Sequence, residues 1–65
     1  MENILPELRK EHSFTQQQLA DIVEVSRQTI IAIETGKFNP SVTLAFKISK
    51  VFKKPIEEIF IFKEE

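Results

Sequence analysis

Apolar residues recur along this chain in short stretches with the three- and four-residue spacing of helices, separated by polar corners rich in capping side chains. The first stripe is Ile4, Leu5 and Leu8, within NILPELRKEH at 3–12, where Asn3 can cap and Pro6 is tolerable in the first turn. Leu19, Ala20 and Val23 make the second, and Ile30 and Ile33 the third. In the fourth, Leu44, Ile48 and Val51 repeat at i, i+4, i+7, and Ala45 and Phe52 widen the face. A fifth starts after the break at Lys53-Lys54-Pro55, with Glu57 and Glu58 in its first turn, where the dipole favours acids. The pattern predicts an all-α chain with helices at about 4–12, 15–23, 26–34, 42–52 and 55–61.

The corners sharpen the boundaries. Thr15 opens a T-x-x-Q capping box with Gln18, and Phe14 and Leu19 occupy the two positions of a hydrophobic staple. Eleven residues later Ser26 is an N-cap with Val25 and Ile30 as its staple pair. Gly36, the single glycine, follows Thr35 where a left-handed residue ends a helix. Ser41 can cap the fourth helix. Two capped helices joined by a turn of about three residues form a helix-turn-helix.

With Ile30 and Ile33 directed inward, Ser26, Arg27, Gln28, Ile31 and Ala32 remain on the outside of the second motif helix. Arginine and glutamine carry the paired hydrogen-bonding groups that match base edges in the major groove, so Arg27 suits guanine and Gln28 adenine or a shared edge contact. Gln16 and Gln17 stand at the start of the preceding helix, where free N–H groups favour an anion. The loop Lys37-Phe38-Asn39-Pro40 offers a cation, donors and restricted geometry for a nucleic-acid backbone. Plain solvent exposure is the rival reading for Gln17, and packing at the domain edge the reading for Phe38.

On these residues the chain resembles the Cro/C1-type (Xre-like) helix-turn-helix regulators. The resemblance rests on LR at 8–9, TQQQLA at 15–20, VSRQTI at 25–30, IETGK at 33–37 and NPS at 39–41. It continues through LAFKISKVF at 44–52 and IEEIF at 56–60, almost the whole chain. It implies a compact five-helix, lambda-repressor-like domain that binds double-stranded DNA and regulates transcription, as a homodimeric repressor on a palindromic operator. Ser26, Arg27, Gln28 and Ile31 would face the bases, and Gln16, Gln17, Lys37 and Asn39 the phosphates. Arg9 and Glu34 match a family ion pair that clamps the first helix to the third. Ile31 departs from the small or polar residue usual at its position; it can press on a thymine methyl or simply cover the helix.

Composition adds constraints. Sixty-five residues allow one domain with a thin core, and no cysteine is present to staple it or to bind metal as a thiolate. One histidine, His12, and no clustered acids leave no nucleophile–base pair and no metal-ligand spacing, so neither an enzyme nor a cofactor is expected. The longest apolar-rich run, IEEIFIF, is too short and too charged to span a bilayer, and the expected compartment is the cytoplasm. The net charge of −1 is unusual for a nucleic-acid binder. Residues 35–56, however, contain five lysines and no acid; Lys50, Lys53 and Lys54 either contribute to a basic face or merely solvate a helix. The run IFIF at 59–62 cannot hide both sides on one small core. Ile56, Ile59, Phe60 and Phe62 are therefore expected at a dimer interface, with Phe46 able to extend it. The alternative is an antitoxin-like or adaptor module that holds a protein partner through Phe60, Ile61 and Phe62.

Overall fold

The computed structural model describes residues 1–63. Five helices pack around one core: α1 (Leu5–Glu11), α2 (Gln16–Val23), α3 (Arg27–Glu34), α4 (Val42–Phe52) and α5 (Ile56–Ile59). Two short strands, β1 (Glu2–Asn3) and β2 (Phe60–Ile61), join the two ends of this body as an antiparallel ribbon, with Glu2 opposite Ile61 and Asn3 opposite Phe60.

The interior is filled by the sides of the helices that the periodicity marks. Leu5, Leu8, Leu19, Ala20, Val23, Ile30, Ile33, Leu44, Ala45, Ile48 and Phe52 are buried together, joined by Ile59 and Phe60. No polar side chain is buried with them among the described residues. Ala20 is wholly buried, and its small size suits the extensive contact between α2 and α3, which a larger side chain would disturb.

Caps fix where each helix begins. The Thr15 hydroxyl accepts from Gln18 N and the Gln18 side chain accepts from Thr15 N, so both halves of the capping box are present. Ser26 and Ser41 accept from Thr29 N and Leu44 N. At the far end of α3, Lys37 N donates to Ala32 O and Gly36 N to Ile33 O, each at 3.0 Å, which is the Schellman arrangement with Gly36 at φ +79°. The corner between α2 and α3 needs the same left-handed geometry but has Glu24 there, at φ +63°. That costs about 1 kcal/mol relative to glycine.

The C-terminal segment departs from expectation. The helix expected over 55–61 stops at Ile59, and the chain extends from Phe60, at φ −110° and ψ +128°. Physically, alternating aromatic and β-branched residues suit a strand, and β1 supplies the partner. The change of period at this point lets two consecutive side chains, Ile59 and Phe60, both turn inward, which a continuous strand would not permit. Asn3, expected to cap α1, does accept from Leu5 N, but from within β1; Ile4 occupies the cap position itself.

Candidate nucleic-acid interface

Helix α3 is anchored at both ends and open in its first turn. Arg27 and Gln28 are exposed, Ser26 caps beneath them, and Ile30 and Ile33 hold the opposite side in the core. Ile31 is half-buried, one turn beyond Arg27. The exposed first turn thus carries a guanidinium and a carboxamide on a rigid, amphipathic rod.

At its other end α3 is clamped electrostatically. Arg9 Nε donates to Glu34 Oε2 at 2.7 Å and Arg9 Nη2 to Glu34 Oε1 at 3.4 Å, while Arg9 Nη1 donates to the Phe14 carbonyl. Gln16 Nε2 adds a third donor to Glu34 at 3.2 Å. One carboxylate therefore ties α1, α2 and α3 together. With side chains only 14% and 7% exposed, the pair is shielded enough that losing one partner leaves a costly unpaired charge. Gln16 accordingly has a bracing contact in addition to its place at the start of α2. Gln17 is exposed and donates to Asp21 Oδ1 one turn later.

Lys10 and Arg27 line the same open concavity, together with Thr15, Gln16 and Gln17. No acid lines it. Lys10 was not legible as a site residue, because a lysine after a helix arginine looks like any solvated charge until α1 and α3 are brought side by side. Lys37 and Asn39 are exposed on the loop that leaves α3. Asn39 also borders an apolar groove of about 210 Å³ formed by Met1, Pro40, Val42, Phe46, Ile56 and Phe60. Phe38 is half exposed.

Two of the four residues expected at a dimer interface lie elsewhere. Ile59 is wholly enclosed in the chain's own core, and Phe60 is buried there too, with only an edge left on the groove. Ile56 is half-buried against that core and Phe62 is exposed. Val42 and Phe46, at 72% and 56% exposure, are apolar and uncovered on the same side.

This architecture agrees with the comparisons to known proteins. A helix-turn-helix family model matches residues 6–59, and the chain belongs to that family. An uncharacterized HTH-type transcriptional regulator of Methanocaldococcus jannaschii is 54% identical over 65 residues, covering 100% of this chain and 98% of the relative. Another, from Archaeoglobus fulgidus, is 49% identical and covers 100% of this chain and 92% of its own length. A more distant relative, the competence pilus inhibition repressor of Acinetobacter baylyi, is 35% identical over 57 residues, 88% of this chain and 52% of that protein. Among the described residues no helix is long and apolar enough to cross a membrane, and no group of three or more His, Cys, Asp or Glu is placed to hold a metal ion.

Proposed function

We propose that this protein is a sequence-specific double-stranded DNA-binding transcriptional regulator, acting as a homodimeric repressor on a palindromic operator. The observation that carries the reading is the first turn of α3, where Arg27 and Gln28 are exposed on a helix held by the Arg9–Glu34 pair. A rod fixed in this way enters the major groove with its N-terminal side chains at the base edges. Arg27 contacts guanine with two hydrogen bonds, Gln28 an adenine, and Ser26 and Ile31 flank them. Gln16, Gln17, Lys37 and Asn39 set the register on phosphates, which carry affinity but little sequence information. A protein seated across a promoter then blocks polymerase by occupying its site.

Dimerisation is supported by uncovered apolar surface. Val42, Phe46, Ile61 and Phe62 expose on the order of 400 Å² around two depressions that share Met1 and Asn39. A standard interface takes about 800 Å² per partner, so this patch forms the centre of one and its polar rim the remainder. Two domains of 34 × 22 × 20 Å related by a two-fold axis can place their recognition helices about 34 Å apart, one turn of B-DNA. Ile56 and Phe62 stay in the proposed contact.

Selection of bound fragments from random DNA, read by sequencing, tests the proposal. The expected product is an inverted repeat with half-sites about 10 bp apart, centre to centre. Recovery of no preferred sequence would count against DNA reading, and a single half-site against the dimer. A stoichiometric protein of different sequence co-purifying on the apolar face would favour the antitoxin-like or adaptor role instead.

A further inference from the structure

Asn3 connects three elements that are distant in the chain. Its Oδ1 accepts from Leu5 N at 3.0 Å and so caps α1. Its Nδ2 donates at 2.9 Å to the carbonyl of Ile33, in the last turn of α3, thirty residues away, and at 3.3 Å to the Met1 carbonyl. Across the ribbon its backbone stands opposite Phe60, and Ile4 N donates to Ile59 O just beyond. Met1 reinforces the junction, its amine nitrogen donating to the Gly36 carbonyl at 3.1 Å. The side chain thus bridges the start of one helix and the end of another, and the backbone joins both to the C-terminal strand.

From this we infer that Asn3 is a positioning residue for DNA reading: it fixes the C-terminal end of α3, and with it the Lys37–Asn39 loop, against the β1–β2 ribbon. The inference rests on the DNA-binding reading above. The Ile33 carbonyl already accepts from Gly36 N, and its second lone pair takes the Asn3 amide. Asn3 is therefore not needed to close the helix. What it adds is a fixed separation between the end of α3 and the first residues of the chain. The Arg9–Glu34 clamp holds the α1-facing side of that last turn, and Asn3 holds a neighbouring point one residue earlier. Two anchors define an orientation where one allows rotation about it.

The chemistry of the side chain provides a clean separation of its two roles. Asn3→Asp keeps an oxygen to cap Leu5 N and removes the donor to Ile33, while Asn3→Ser keeps a capping oxygen on a side chain too short to span to Ile33 as well; the aspartate also faces a carbonyl and the negative end of α3. Asn3→Ala removes both. Each variant is compared with the full-length wild type for thermal midpoint, for amide hydrogen exchange at Thr35, Gly36 and Lys37, and for affinity on the selected operator and on random DNA well below the midpoint. The expected result is a midpoint lowered by a few degrees for Asn3→Ser and further for Asn3→Asp, where repulsion adds to the lost bond, with faster exchange at the three amides and about three- to tenfold weaker operator binding with a smaller loss on random DNA. Operator affinity and amide exchange like the wild type in both cap-retaining variants would overturn the inference, whatever happens to Asn3→Ala. Should the wild type select no sequence at all, the function proposed above fails; the exchange rates then decide the anchoring role alone, with unchanged rates overturning it.

Discussion

The α2–α3 corner and the α4–α5–β2 side of this domain are built from similar short amphipathic elements, yet they meet solvent differently. Around α2 and α3 the exposed side chains are polar apart from Ile22, and the Arg9–Glu34 pair is the strongly shielded one among the described residues. On the other side, Val42, Phe46, Ile61 and Phe62 are apolar and uncovered. Groups that exchange water for phosphates and base edges must stay hydrated and rigid when free. Apolar groups gain nothing from water and gain from burial by a partner. This contrast supports the proposal that the first side meets DNA and the second a protein surface.

The sharpest way to break that contrast is to ask what holds each side together. Ile59→Ala should destabilise the domain by about 3–4 kcal/mol, because the side chain is wholly enclosed, whereas Phe62→Ala should change monomer stability by under about 0.5 kcal/mol. Urea unfolding measured at low protein concentration checks both, and similar losses for the two would put Phe62 in the core. For a domain whose total stability is about 3–10 kcal/mol, the first change is nearly disabling.

On the polar side, Glu34→Ala should cost about 3 kcal/mol, since Arg9 and Gln16 both lose their acceptor in a shielded position. Lys47→Ala, which removes an ion pair to Glu24 in open solvent, should cost under about 0.5 kcal/mol. Equal effects in denaturation would mean that Glu34 is hydrated in solution and α3 is held by its apolar side alone.

Binding measurements resolve the division of labour within the polar side. Arg27→Ala should weaken operator binding by about 1–3 kcal/mol and relax the preference at one base pair. Lys37→Ala should have the smallest effect, weakening specific and random DNA alike and lowering the salt slope by about one. Affinities titrated across a salt series separate the two. Uniform loss for Arg27→Ala would move that side chain from the bases to the phosphates, beside Lys10.

The five helices were largely legible because their signals are local. Thr15, Ser26 and Ser41 each satisfy N–H groups within three residues, and Gly36 ends α3 by its own backbone freedom. Such bonds need no knowledge of the rest of the chain. The reading of 55–61 as one helix went astray for the opposite reason. Residues 60–61 are extended because β1, nearly sixty residues away, provides hydrogen-bond partners that no local pattern announces. Glu24, Ser13 and Lys53 likewise adopt left-handed backbone without being glycine.

By itself the sequence determined the helices, their caps, their inward faces and the exposed pairing of Arg27 with Gln28, since periodicity and capping act over one or two turns. Tertiary structure alone decided which of the C-terminal apolar residues are core and which are surface, placed Lys10 and Arg27 on one concavity, and gave Asn3 a second partner on α3. Those outcomes depend on contacts between segments about seventeen to sixty residues apart. Their energies come from the geometry of closure, which is fixed only once the whole chain has packed.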